Sequence, residues 1–393
     1  MKFTNLDKVL FSLFAILIVI FNFSKHSLDP LLLVFFMFIG LIIAILASEK
    51  AVGGMEILGK KLGLTPYVSG VLSSLASNSP ELAIGAFAIL GGKVEFAIAF
   101  IIIAIGFNIL MLGLLIIIGN YKRKGAIIIP EEVKEIEVPI VRGAIVIVGS
   151  IFVYGIVLFA LEAITGPDNV PFLPYEANVI MVVVYLFYLY FIIRHNLQKQ
   201  SKDYSEEHEK EESYAAHPIS RRFIFSVLVL AFALIFFAGE MISSSVEIFL
   251  EYDPIFNEFQ LAFFIGAAAS IPEHAIALLA IRHKGGIELG LGNLIAGSMQ
   301  NLLLMTGLVS LFSFIGSILG ISGNDPRGIP LVHVVEGEIP IPFLLVQFGF
   351  AWLMLFLIKS SMTDNRRLDV YEGFTITITQ LFVFIIFLRG ILA

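Results

Sequence analysis

Two six-residue stretches place polar chemistry inside otherwise apolar runs. SNSPEL, residues 77 to 82, interrupts GVLSSLASNSPELAIGAFAIL, and ASIPEH, residues 269 to 274, interrupts FFIGAAASIPEHAIALLAI. Each sets a proline beside a glutamate. Inside a helix a proline removes one hydrogen bond and displaces the carbonyl four residues back, so Pro80 points to a freed carbonyl at Ala76 and Pro272 to one at Ala268. In lipid such irregular backbone is tolerated only where it lines a cavity or meets another helix. An ionised carboxylate at mid-membrane costs about 2.5 to 3.5 kcal/mol on the insertion scale, and no lysine or arginine is expected at the depth of Glu81 or Glu273. A cation or a proton must compensate them.

The two carboxylates carry a charge of minus two. Neutral oxygens come from Ser77, Asn78, Ser79, Ser270, Asn108, Asn301 and the carbonyls of Ala76 and Ala268. Such a set suits Ca²⁺, which accepts roughly six to eight oxygens, whereas Mg²⁺ resists dehydration and Zn²⁺ prefers histidine or cysteine. His274 is the nearby nitrogen donor, but adjacent helical positions point about 100° apart, so packing or support is expected of it rather than ligation. Glu49 and Glu56, and likewise Glu240 and Glu247, are seven residues apart and share a helical face. They read either as solvated helix-end carboxylates or as an access path for ions.

The elements that must position these groups follow from composition. Of 393 residues, 58% are hydrophobic and 15% charged, with a mean hydropathy of +0.94, more apolar surface than a water-soluble domain of this length can hide. The chain is expected to be an all-α polytopic membrane protein, with the lipid bilayer and small cations as its partners. Nothing in it points to nucleic acid or a cofactor. Cysteine is absent, which excludes disulfides and thiolate metal sites. At about 20 residues per span, eleven runs qualify: 8–23, 30–59, 66–90, 94–119, 138–163, 177–194, 222–249, 258–281, 287–316, 340–358 and 372–391. The first, preceded by Lys2 and Lys8, lacks a small-residue cleavage site and reads as a span rather than a signal peptide. Sorting lysine and arginine by alternate connections puts nineteen on the N-terminal side and four on the other, with Lys50 and Arg142 at span edges. That bias predicts a cytoplasmic N-terminus and an external C-terminus, in the plasma membrane of a prokaryote.

The chain also repeats itself. Glu49 and Glu56 match Glu240 and Glu247 at a displacement of 191, and Glu81 matches Glu273 at 192. This predicts an extra N-terminal helix over 1–29, a five-helix half over 30–195, a cytoplasmic linker over 196–220 and a second five-helix half over 221–393. Five is odd, so the halves are expected to be inverted in topology, the plan of secondary transporters with a midplane site. The charged linker, with KQSKDYSEEHEKEESYAAHP at its core, and the stretch 317–339 read as solvated connections, the former with a regulatory or calcium-sensing role as the alternative.

On these residues the sequence resembles the Ca²⁺/cation antiporter superfamily. LGLTPYVSGVLSSLASNSPELAIGAFAIL is similar to its first alpha repeat, and FFIGAAASIPEHAIALLAI followed by GNLIAGSMQNLLLMTG to its second. The resemblance implies ten core helices, Ca²⁺ bound between Glu81 and Glu273 as transported substrate, and exchange for H⁺ or Na⁺ as two gate helices slide past the core. The chain departs from the sodium/calcium exchangers at Ala104, where a serine is usual, at FAIAFIIIAIGFNIL, which lacks the Gly-Asn opening, and between Asn108 and Gly113, one residue shorter than the family spacing. Gly297 and Ser298 compete for the corresponding serine of the second repeat. Glu273-His274 and Ser298-Met299-Gln300 resemble the calcium/proton antiporters, which also commonly carry eleven helices. With a carboxyl walled by apolar side chains taking up a proton more readily, this favours H⁺ over Na⁺. A cation channel is the first rival reading. An intramembrane metalloenzyme is the second, opposed by the lack of an HExxH motif.

Overall fold

The computed structural model describes residues 5–62, 64, 66–129, 131–165, 172–203, 220–252, 257–280, 286–321, 323–331, 343–363 and 367–392. Its α-helices are α1 (Asn5–Ser24), α2 (Pro30–Lys61), α3 (Pro66–Ser77), α4 (Ser79–Leu90), α5 (Val94–Arg123), α6 (Glu131–Thr165), α7 (Tyr175–Asp203), α8 (Arg221–Tyr252), α9 (Glu258–Ala269), α10 (Ile271–Ala280), α11 (Gly286–Met299), α12 (Thr306–Ile318), α13 (Phe343–Thr363) and α14 (Val370–Leu392). Within the described residues, the apolar runs expected from the sequence are helical over most of their length. Seven helical segments among the described residues are long and apolar enough to cross a membrane. Large side chains such as Val146, Val153, Phe187 and Phe225 are exposed on their outer faces, which is tenable only where the surroundings are hydrocarbon.

Both proline-glutamate stretches break their runs in two. The sequence placed each proline within one helix. Instead α3 ends at Ser77 and a new helix starts at Ser79, with Pro80 in its first turn, and α9 ends at Ala269 before α10 starts at Ile271 with Pro272 second. At a helix start the missing proline N–H costs nothing, because no intrahelical partner exists there.

α2 and α8 lie antiparallel along one another, Gly40 of α2 pressed on Ile242 and Gly54 on Leu228. α5 and α14 pair in the same manner: a Cβ at Gly113 would lie 2.9 Å from the Gly373 carbonyl, so only glycine permits this approach of the two backbones. α6 pairs with α13, where Gly149 faces Trp352 and Gly155 faces Leu345. α1 is held at both ends, by Lys50 of α2 on Asp7 at 2.8 Å and by Asn22 and Lys25 on Glu240 of α8 at 3.3 and 3.5 Å.

Two small antiparallel sheets tie the connections. β1 (Ile127–Ile128), after α5, pairs with β4 (Arg367–Leu368), before α14. β2 (Phe172–Leu173), before α7, pairs with β3 (Ile329–Pro330), after α12. Next to the second sheet, Arg327 stacks over Phe172 at 4.2 Å and bonds Asp325 at 2.8 Å, holding that carboxyl below its usual range. Much of the linker read from the sequence, residues 204–219, lies outside the described residues, as does 332–342 of the stretch 317–339.

One feature that periodicity did not reveal is a π-helical turn, Gln300–Met305, between α11 and α12. Such a turn absorbs one extra residue within a continuing helix. Asn301 to Gly307 is six residues where Asn108 to Gly113 is five. The longer spacing of the second repeat is taken up by this turn beside Asn301.

Candidate cation site

Glu81 and Glu273 each fall in the first turn of a short helix, α4 and α10, where unpaired backbone N–H groups favour negative charge. Both are wholly buried and near enough to act on one another electrostatically. The surroundings of the two differ. Glu273 accepts a hydrogen bond from the Asn108 amide nitrogen and one from Ser77 Oγ at 3.3 Å. Its carboxylate lies on Gly297 of α11, where a Cβ would approach Oε1 to 2.6 Å. Neither oxygen of Glu81 has a hydrogen-bond partner among the described residues.

The neutral donors also divide. Asn301, in the π turn, is buried with both amide atoms unpartnered among the described residues. Asn78 donates to Gln300 Oε1 at 2.8 Å while its own Oδ1 has no partner among them. Ser270 and Ser298 each donate to a backbone carbonyl, of Gly266 and Leu294, at 2.9 and 2.8 Å, and keep free lone pairs, whereas the single Ser77 proton is shared between the Ser74 carbonyl at 2.9 Å and Glu273 Oε1 at 3.3 Å. Ala76 does not offer the open carbonyl that the sequence suggested. Pro80 frees it, but Ser79 Oγ at 2.7 Å and Ser48 Oγ at 3.3 Å occupy its two lone pairs. Ala268 sits in the last turn of α9 with its side chain on the wall of an apolar groove.

Gln300, not among the expected ligands, links the first break to the second repeat. It accepts from Ser74 at 2.9 Å as well as from Asn78, and donates to the Val71 carbonyl at 3.1 Å. Its only signal in the sequence was its place in Ser298-Met299-Gln300. His274 Nε2 lies 3.0 Å from Asn108 Oδ1, and Asn108 in turn donates to Glu273. No group of three or more His, Asp or Glu side chains that could hold a metal occurs among the described residues.

The outer glutamates are not equivalent to one another. Glu49 and Glu56 on α2 are exposed. Glu247 is half-buried, its carboxylate over Gly91 at the end of α4. Glu240 is engaged by Asn22 of α1 and by Lys25 just after it, so it is not the bare carboxylate that an access path would use.

Apolar outer faces, paired broken helices and two buried carboxylates at the breaks define a helical membrane protein with a buried polar centre. The chain belongs to the family described as sodium/calcium exchanger protein, which it matches over residues 32–194 and 223–390, and thus to the Ca²⁺/cation antiporter superfamily. Its fold is similar to that of a structure described as the H⁺/Ca²⁺ exchanger CAX, with TM-score 0.67 and 14% identity over 99% of this chain and 93% of the other. It is also similar to the sodium-calcium exchanger NCX_Mj soaked with 100 mM Na⁺ and 10 mM Sr²⁺, with TM-score 0.56 and 16% identity over 91% of this chain and 98% of the other. No curated protein sequence matches the chain.

Proposed function

We propose that the chain is a secondary antiporter that exchanges Ca²⁺ for H⁺ by alternating access, with Ca²⁺ held between Glu81 and Glu273. The observation that carries this reading is the Glu81 carboxylate, wholly buried with neither a donor nor a fixed cation among the described residues. A mobile cation or a proton relieves that cost, and each excludes the other. The loaded states can cross the membrane, whereas the empty doubly charged site is held back by desolvation.

Counting α3 with α4, α9 with α10, and α11 with the π turn and α12 gives eleven spans, an extra one followed by two halves of five. The helix order supports this plan. α2, α3 and α5 of 32, 12 and 30 residues are echoed by α8 and α9 of 32 and 12 residues and the long α11–α12 helix. The sheets support an inverted relation, because exchanging the halves turns β1 with β4 into β3 with β2, on connections that alternate across the bilayer. In this reading 1–29 is the extra helix, 30–195 and 221–393 are the halves, 196–220 is a cytoplasmic linker, and the N-terminus is cytoplasmic with the C-terminus outside.

The gate pair is α2 and α8. It leans on the first broken span: α2 lies along α3 and α8 along α4, while α8 against α9 and α2 against α10, the contacts that repeat symmetry pairs with these, are slight. Beside α9 an open apolar groove of about 310 Å³, lined by Met37, Leu41, Phe249, Ile265 and Ala268, lies between the pair and the second broken span. We read it as room for the gate to shift into. Ala268→Phe is expected to fill this room and lower turnover severalfold without weakening Ca²⁺ binding, checked by uptake kinetics beside equilibrium binding. Normal turnover in this variant would remove the groove from the mechanism.

Sodium as counter-ion is the second reading, favoured by the family description and by the Ser77 and Ser79 hydroxyls at the break. Purified protein in sealed vesicles, following ⁴⁵Ca²⁺ uptake against an imposed proton gradient and separately a sodium gradient, decides between them. Uptake driven by protons without sodium is expected. Uptake with sodium alone moves the chain to the second reading, and uptake with neither rejects calcium antiport.

A further inference from the structure

The two halves of the site differ in the residue that follows each glutamate: Leu82 after Glu81, His274 after Glu273. They also differ in the state of the partner asparagine. Asn301 has no partner at either amide atom among the described residues, whereas Asn108 is fixed at both ends, its nitrogen on Glu273 Oε2 and its oxygen 3.0 Å from His274 Nε2. An amide oxygen can only accept, so His274 carries its hydrogen on Nε2 and donates. Rotating the amide by half a turn would set N–H against N–H at His274 and oxygen against oxygen at Glu273. The ionised Glu273 carboxylate can only accept, so it sets this orientation, and His274 holds it by donating from Nε2. In that orientation Asn108 offers the site an N–H and turns its oxygen away.

A cation needs the oxygen. We propose that His274 is a positioning residue that locks Asn108 as a hydrogen-bond donor to Glu273 and withholds the Asn108 oxygen from the transported divalent cation. The cation then rests chiefly on the side of Glu81 and Asn301, whose carboxylate and amide oxygens are unpartnered among the described residues, and leaves readily because one oxygen is held back. Leu82 cannot form such a lock, and Asn301 has no partner at either amide atom among the described residues. The inference rests on the cation-binding reading above, and it explains why two repeats with matching glutamates and asparagines give an asymmetric site.

The test compares His274→Leu, which copies Leu82, with His274→Gln, whose side-chain N–H₂ can still donate to Asn108. In vesicles under the gradient that drives ⁴⁵Ca²⁺ uptake, His274→Leu is expected to lower the KM for Ca²⁺ about five- to tenfold, the worth of one recovered ligand contact, with kcat falling as release slows. His274→Gln returns both constants towards wild type. In an Asn108→Ala background, adding His274→Leu releases no partner, and KM moves by less than about twofold. A rise in KM for His274→Leu, equal behaviour of the Leu and Gln variants, or an effect that survives Asn108→Ala overturns the proposal. ¹⁵N-histidine NMR of the purified full chain, with the His274 signal identified by its loss in His274→Gln, reads the lock without transport: Nε2–H is expected, and Nδ1–H overturns it. If wild-type protein carries no Ca²⁺ while the Nε2–H signal is present, the calcium reading has failed and the lock has not.

Discussion

Glu81→Gln abolishes calcium uptake, by at least about a hundredfold, and at the same time raises the melting temperature of the cation-free protein at alkaline pH. The loss follows from charge: with one carboxylate of the pair neutral, the site retains a single negative charge for a divalent ion, and an amide cannot alternate between proton and metal. The stabilisation follows from the Glu81 environment. Both of its oxygens are buried without a donor among the described residues, so in the empty ionised state that carboxylate bears a desolvation cost that a glutamine does not. Glu273→Gln is expected to lose uptake just as completely but without that gain, because Asn108 and Ser77 already donate to the carboxylate and would lose a charged acceptor. Melting curves in chelator, with and without added Ca²⁺, check both halves. Wild type rises with Ca²⁺ and neither variant does. Full uptake by either variant, or equal shifts of both in chelator, would mean that the two carboxylates are not the asymmetric pair described here.

Helix positions were legible because lipid demands continuous apolar runs, and a run of that length is hard to mistake. The carboxylates were legible for the converse reason: Pro80-Glu81 and Pro272-Glu273 stand out against such a background, and the matching displacement of the two sites ties them together. What stayed hidden depends on contacts between distant segments. Nothing near Ala76 announces that Ser48, 28 residues earlier, will occupy its carbonyl, and nothing near Glu240 announces Lys25, just after α1. The π turn had no signature in the sequence periodicity, and the only spacing departure read there was in the first repeat, between Asn108 and Gly113. Gln300 looked like an ordinary member of an apolar helix because its three partners lie on α3 and at the first break. His274 was expected to point off the Glu273 side, and the helical angle alone could not tell that Asn108 lies beside its ring.

Gly297→Ala is the second large effect, and it reaches the site through a single methyl group. The added Cβ would stand 2.6 Å from Glu273 Oε1 and 3.2 Å from its Cδ, too close for either to remain. The carboxylate cannot simply swing aside, since Asn108 and Ser77 hold its two oxygens and the surrounding α5 and α11 are packed against one another. A ligand displaced by about 1 Å can cost on the order of a hundredfold in rate, so uptake in Gly297→Ala is expected to fall by about one to two orders of magnitude, while alanine's better helix propensity keeps α11 intact. The first repeat supplies the control. Ala104 stands at the position corresponding to Gly297, wholly buried on α5, so that side of the site already accommodates a methyl, and Ala104→Gly should leave uptake within about twofold at a propensity cost of about 1 kcal/mol. Shortening the crowded carboxylate separates steric displacement from general damage: Glu273→Asp alone draws the oxygens away from Asn108 and is impaired, whereas in the Gly297→Ala background it relieves the clash and uptake recovers in part. Double-variant uptake no better than that of Gly297→Ala would assign the loss to helix packing rather than to the position of the Glu273 carboxylate.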